Sequence, residues 1–158
     1  MNPYMKTAND LAADNLITHV GGPFGAVVVK NGEVIGQGSN HVIARHDPTA
    51  HAEITAIRNA CENLGTHDLS GCTVYTSCYP CPMCLSAIIW ANIREVYYGN
   101  TKEDAAAIGF RDDMIYSYLD GLTKGSEDVG TLALHPMDRK ETIKTFRAYA
   151  AQEDKTVY

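Results

Sequence analysis

His51, Glu53, Cys81 and Cys84 are the residues of this chain whose types and spacing carry chemistry. They stand in two short stretches, Thr49-Ala50-His51-Ala52-Glu53 and Ser77-Cys78-Tyr79-Pro80-Cys81-Pro82-Met83-Cys84. One imidazole and two thiolates suit a zinc ion, and three protein ligands leave the fourth tetrahedral position to water, as in a catalytic site; a structural site normally closes with a fourth Cys or His. The same donor set favours zinc over harder ions. Glu53 stands beside the ligands but off the metal, where a carboxylate can take a proton from that water and hand it on. Each stretch alone has a plainer reading. Cys81-Pro82-Met83-Cys84 by itself suits a structural zinc knuckle or a redox pair, and His51 with Glu53 suits a helix cap and a solvated charge. Jointly, with prolines around Cys81 and no fourth ligand in the motif, they read as one catalytic centre with His51, Cys81 and Cys84 as ligands.

The elements that must position these residues follow from local pattern. His51 is followed by Ile54, Ile57, Ala60 or Cys61, and Leu64, a helical stripe that stops at Gly65. That places His51 and Glu53 in the first turn of a helix, about 200° apart around its axis. Pro82 suits the first position of a second helix, running through Leu85, Ile88 and Ile89 to about Asn92. Two Cys at that helix start present their thiolates to a positive dipole end, which favours metal binding.

Upstream, Asn2-Pro3 caps and starts a helix whose buried side is Met5, Ala8, Leu11, Ala12 and Leu16, ended by Gly21-Gly22-Pro23. Phe24 to Val29 reads as a buried strand, Lys30-Asn31-Gly32-Glu33 as a type I′ hairpin turn, and Val34 onward as the return strand leading to Asn40. Cys72 to Thr76 and Val96 to Tyr98 give two more strands. Strand, crossover helix and strand in succession imply parallel pairs with right-handed connections. The fold class predicted is α/β, a three-layer α/β/α sandwich around a mixed central sheet, with ligands at the carboxyl ends of the strands. Beyond Gly99 the pattern weakens to a helical turn at Asp104–Ile108, a loop to Asp113 and a helix within Met114–Leu119. A fifth strand or irregular segment then falls at Thr131–Leu134, and a final helix runs from Asp138 to about Gln152.

With 158 residues, 45% hydrophobic and 20% charged, the chain reads as one globular domain spanning 1–158. It shows no long apolar span and no signal-peptide pattern, so the expectation is a cytoplasmic protein with no membrane partner. Of five Cys, two go to the metal; Cys61, Cys72 and Cys78 read as small apolar residues of a reducing compartment, Cys78 near enough to line the site. The net charge of −6 argues against nucleic acid, whose phosphates demand a basic face. The one basic gathering, Arg139, Lys140, Lys144 and Arg147, reads as the solvated side of the last helix. A small uncharged substrate fits better.

The His-x-Glu … Pro-Cys-x-x-Cys pair is the signature of zinc-dependent base deaminases. The chain resembles, more narrowly, the bacterial guanine deaminases of the cytidine-deaminase fold. The likeness runs through Gly21-Gly22-Pro23-Phe24-Gly25-Ala26-Val27, Asn40, Asp47 to Glu53, Tyr75-Thr76-Ser77-Cys78 and Pro80 to Leu85. It continues in Ala106-Ala107-Ile108-Gly109-Phe110 with Asp112, and ends at Tyr158. It is loose only between about 115 and 150.

What the resemblance implies is hydrolytic deamination of guanine to xanthine and ammonia, with one zinc per subunit. Glu53 then shuttles protons, and Asp112 lies by the substrate amine and assists recognition and proton transfer. Asn40 offers a donor and an acceptor to one base edge, Phe24 and His51 sandwich the ring, and Tyr158 closes over the substrate. Such relatives exchange C-terminal segments within a homodimer, so the segment at about 136–158 is expected to be exchangeable and Tyr158 to complete a neighbour's site. Without the resemblance, Asn40 reads as the end of a strand, Asp112 as a loop charge and Tyr158 as a disordered terminus. One residue departs from the family pattern: Tyr79 stands where these deaminases usually carry Glu, which bears on substrate choice. Three alternatives stay open: a deaminase of cytosine, isocytosine, an aminotriazine or a pterin; a tRNA adenosine deaminase; and a non-catalytic zinc-binding module.

Overall fold

Helix α1 (Pro3–Thr18) starts where the sequence predicts, because the Asn2 carboxamide accepts from the backbone N–H groups of Tyr4 and Met5 and Pro3 occupies a position that needs no donor. The computed structural model describes residues 1–126 and 128–158. The helix ends on His19, which takes a left-handed cap at φ 53°, short of the Gly21-Gly22-Pro23 breakers. Its buried side is Ala8, Ala12 and Asn15; Leu16, expected inside, is 65% exposed. The inward row follows i, i+4, i+7, and Leu16 lies one residue past it, turned away from the sheet. Small residues on that row let the helix lie close: a Cβ added at Gly25 would stand 2.1 Å from the Ala8 carbonyl oxygen.

The hairpin forms as predicted. Strands β1 (Gly25–Lys30) and β2 (Glu33–Ser39) pair antiparallel, Lys30 stands opposite Glu33, and Asn31 and Gly32 both take positive φ, 51° and 84°, as a type I′ turn requires. There follow α2 (Val42–Arg45), α3 (Ala52–Leu64), β3 (Thr73–Cys78), α4 (Pro82–Trp90), β4 (Glu95–Asn100) and α5 (Lys102–Ala107). The sheet order is β2-β1-β3-β4. Among the described residues only β3 and β4 form a parallel pair, for β1 sits between β2 and β3 and runs antiparallel to both. This corrects the expectation that each crossover joins parallel neighbours. Helix α3 does return the chain in the direction of β2, but the hairpin has already placed β1 alongside.

The sheet is covered on two faces. Gly25 faces α1, whereas a Cβ at Gly36 would lie 2.4 Å from the carbonyl oxygen of Ala56 on α3, and one at Gly38 would lie 2.7 Å from the Cβ of Thr55. Partners in an antiparallel ladder point the same way, so Ala26 and Val28, opposite Gly38 and Gly36, also face α3. They join Ala52, Ala56, Ala60, Val74 and Ile88 in the main core. The result is helix, mixed sheet, helix.

The chain divides into two compact units, Met1–Asp113 and Met114–Tyr158. The second holds α6 (Asp113–Thr123, beginning at the boundary) and α7 (Arg139–Ala150). The Tyr118 hydroxyl donates to the Leu132 carbonyl at 3.1 Å, and Thr131–Leu134 forms no strand. Among the described residues no helix is long and apolar enough to cross a membrane.

Candidate active site

His51 and Cys81 occupy equivalent places. Each is the N-cap of its helix with extended backbone, His51 of α3 at φ −67°, ψ 161° and Cys81 of α4 at φ −65°, ψ 167°. His51 is therefore not part of the first helical turn, and the expected angular offset from Glu53 does not apply: its ring leaves from outside the helix while Glu53 leaves from within. Pro82 sits at the first position of α4 as predicted, and Cys84 lies on the opening turn. Two helix starts thus aim one imidazole and two thiols at a common point.

The spacing at that point fits zinc. The Nδ1 atom of His51 lies 3.6 Å from the Sγ of Cys81 and 3.6 Å from the Sγ of Cys84, and the three candidate ligand atoms all lie within 4.8 Å of one another. A tetrahedral zinc with Zn–N of roughly 2.0–2.1 Å and Zn–S of about 2.3 Å spans an N···S edge of about 3.5–3.6 Å. Charge in the cluster is unevenly shared. The neighbouring Cys84 thiol and then the His51 imidazole hold the Cys81 thiol well below its usual range, while Cys81 and burial push Cys84 up. The bond to Cys81 holds the imidazole above its usual range. The cluster thus already favours a thiolate at Cys81.

Glu53 is 6% exposed, and burial raises its pKa. Its Oε1 accepts a hydrogen bond from the Thr76 hydroxyl at 2.8 Å, and its Oε2 accepts from the Cys84 thiol at 3.4 Å. Thr76 stands opposite Ala26 in the β1–β3 ladder and so points from β3 to the α3 face, where Glu53 lies. Thr76 lies outside the zinc motif, and its one signal in sequence is a hydroxyl at an inward strand position two residues after the core residue Val74.

These groups open onto a cavity of about 430 Å³, within the usual size of small-molecule sites. His51, Glu53, Phe24, Asn40 and Asp112 all line it, joined by Phe110, Tyr79 and Cys78. Asp112 is half-buried, and burial, then the charge of Cys81, raises its pKa. Phe24 meets Phe110 edge-on, ring centroids 4.9 Å apart, with Gly22 close beneath them: a Cβ there would lie 2.8 Å from Phe110 and 2.9 Å from Phe24 and would push the rings aside. Tyr79 is braced by the edge-on ring of Tyr98 at 5.0 Å and the ammonium of Lys102 at 5.4 Å. Cys78 donates to the Thr101 carbonyl at 3.5 Å, and burial pushes its thiol up to about 11, which keeps it neutral.

Asn40 differs from expectation. Its Oδ1 accepts from the backbone N–H groups of Gly22 at 3.3 Å and Val42 at 3.1 Å, so the carboxamide oxygen serves the chain itself. Both partners are donors, which fixes the oxygen on that side; only Nδ2 remains for a ligand, and Asn40 presents donors alone. Tyr158 lies in the second unit and is 76% exposed.

Residues 1–100 match the family described as the cytidine and deoxycytidylate deaminase zinc-binding region. The chain is 44% identical over 155 residues to the guanine deaminase of Bacillus subtilis (strain 168), covering 98% of this chain and 97% of that protein. The X-ray structure of the Bacillus subtilis guanine deaminase superposes with a TM-score of 0.91 at 42% identity, covering 100% of this chain and 99% of that one. A structure of the guanine deaminase from Nitrosomonas europaea gives a TM-score of 0.66 at 36% identity, over 70% of this chain and 64% of that one. The tRNA-specific adenosine deaminase of Agrobacterium fabrum is 45% identical over 86 residues, 54% of this chain and 57% of that protein.

Proposed function

The chain belongs to the cytidine and deoxycytidylate deaminase zinc-binding family, and from that premise we propose that it is a hydrolase converting free guanine to xanthine and ammonia. The observation that carries the reading is Glu53, buried against a three-ligand cluster on the wall of a mostly apolar cavity. The choice of guanine is supported by a likeness that runs through the whole chain, whereas the tRNA-specific likeness stops at about half of it. The net charge of −6 also disfavours a polyanionic substrate.

Hydrolysis forms a C–O bond at the carbon bearing the amine, breaks the C–N bond and releases ammonia. His51, Cys81 and Cys84 would hold the zinc, and the ion would supply Lewis acidity and lower the pKa of the attacking water toward roughly 7. Glu53 takes one water proton and delivers it to the neighbouring ring nitrogen, then takes the proton of the new C–OH group and gives it to the departing amine as the carbonyl forms. Burial suits it to both tasks, because a carboxyl raised toward neutrality accepts and returns a proton readily. Thr76 holds Oε1 and leaves Oε2 on the side of the ligands. With the amine at Glu53, the O6/N7 side of guanine offers acceptors only, the complement of the donor that Asn40 presents. Phe24 and His51 enclose the ring, and Asp112 takes the amine as a hydrogen-bond acceptor.

Tyr79 is where this pocket departs from the family pattern. A braced aromatic ring replaces a carboxylate at the rim, so Tyr79→Glu shifts relative turnover among amino-heterocycles without removing zinc. The enzyme works as a homodimer in which the segment at about 136–158 is exchanged and Tyr158 completes the neighbour's site. Supporting this, Leu132, Leu134, Met137, Phe146 and Val157 are all exposed, a set of apolar side chains suited to a partner chain.

Glu53→Ala tests the mechanism. It should retain zinc and fold while kcat falls by about two to four orders of magnitude; an unchanged rate would remove Glu53 from the reaction.

A further inference from the structure

We infer that Asn15, far from the zinc ligands in sequence and absent from the cavity wall, is a positioning residue that holds Asn40 in its ligand-facing orientation. Asn15 sits on the last turns of α1 and is 4% exposed, a carboxamide on a helix side otherwise made of alanine. Its Nδ2 donates to two main-chain carbonyls, that of Gly22 at 2.8 Å and that of Asn40 at 2.8 Å. Both partners are acceptors, so the nitrogen must face them and the orientation is unambiguous.

The two carbonyls belong to the two strands of chain that frame one end of the cavity. Gly22 lies in the turn between α1 and β1, and Asn40 follows β2. A single side chain ties them together. Asn40 is then fixed through every polar atom except one. Its N–H donates to the Phe24 carbonyl at 3.0 Å, its carbonyl accepts from Asn15, and its Oδ1 accepts from Gly22 and Val42. Gly21 packs flat against it, for a Cβ there would lie 2.2 Å from the Asn40 Oδ1 and 2.3 Å from its carbonyl oxygen. What remains is Nδ2, the last donor of a residue that lines the cavity. Without Asn15, the buried Asn40 carbonyl loses its donor, the Gly22 carbonyl is left with the Phe24 N–H alone, and the Gly22 turn that also holds the Asn40 oxygen loses its tie to α1. Ligand recognition by Asn40 therefore depends on a residue that touches no ligand.

The inference rests on the proposed reading of the site. The test compares zinc-loaded parent, Asn15→Ala, Asn15→Ser, Asn40→Ala and Asn15→Ala/Asn40→Ala on guanine, with zinc content and circular dichroism measured on each. Asn15→Ala should raise KM about tenfold, the worth of one well-placed hydrogen bond, with kcat within about a factor of three. In the Asn40→Ala background the same change should alter KM by less than about twofold, because the group it positions is gone. Asn15→Ser, which keeps one donor, should fall between Asn15→Ala and parent. A parental KM in Asn15→Ala, or a full tenfold effect persisting without Asn40, overturns the inference while leaving the function intact. So does loss of zinc and native dichroism in both single Asn15 variants, which would make the residue an element of stability alone. A parent chain inactive on guanine would remove the functional reading and this inference together.

Discussion

The Thr76 hydroxyl donates to Oε1 of Glu53 across 2.8 Å, joining the central strand β3 to the carboxylate beside the zinc cluster. Both residues are buried, so no water can take over the bond cheaply, and the carboxylate is held in one rotation. Thr76→Val keeps the shape and removes the donor. A hydrogen bond to a charged group contributes about 1.5–3 kcal/mol, so kcat on guanine should fall about tenfold to a hundredfold with zinc content unchanged. Thr76→Ser should recover most of the rate. Equal activity in Thr76→Val would show that packing alone orients Glu53.

Metal loading should govern stability as well as rate. His51, Cys81 and Cys84 sit at helix starts whose mutual position the ion would fix, and metal binding contributes to folding wherever the site is not formed in the unfolded chain. Cys81→Ala should lose stoichiometric zinc, melt several degrees below the parent and be inactive. Chelator treatment of the parent should lower its Tm toward that of the variant, and added zinc should reverse the shift. A Tm insensitive to both would place the ion outside the folded core.

Gly21→Ala should damage recognition before it damages chemistry. The new Cβ would stand 2.2 Å from the Asn40 Oδ1, a distance real contacts never show, so Asn40 must move. The expected outcome is a KM for guanine raised at least as far as in Asn15→Ala, with zinc retained. An unchanged KM would show that the turn yields without disturbing Asn40.

Asp112 links pH to stability in the direction opposite to a salt-bridged carboxylate. Burial raises its pKa, so the folded chain holds that proton more tightly than the unfolded one. Its contribution to stability therefore grows as pH falls through the folded value and is unfavourable above it. Activity runs the other way, since the ionised carboxylate is the form that accepts from the substrate amine. Asp112→Asn should be at least as stable as the parent at neutral pH while losing kcat/KM. Calorimetry paired with rate measurement checks both halves; a variant both less stable and fully active would assign Asp112 to structure.

Much of the molecule was legible locally. Asn2-Pro3, Asn31-Gly32, Pro82 and Gly65 each impose a backbone geometry through their own covalent chemistry, and each stands where that geometry is used. The metal ligands were legible because thiolates and imidazole at that spacing have few other uses. What local pattern did not supply is what depends on distant partners. Insertion of β1 between β2 and β3 is decided by sheet assembly. The burial of Asn15 in place of Leu16 is decided by two carbonyls elsewhere in the chain. The capture of the Asn40 oxygen by backbone amides turned an expected donor-and-acceptor contact into a donor alone, and only the folded turn around Gly22 could reveal it.

The most direct measurement is ammonia release by zinc-loaded protein from separate solutions of guanine, cytosine, adenine, isocytosine and an aminotriazine. Turnover of guanine well above the others, independent of salt, is the predicted result. Silence on guanine with turnover of another base would contradict the assigned substrate, leave the zinc and Glu53 chemistry in place, and make the ring of Tyr79 the first position to exchange.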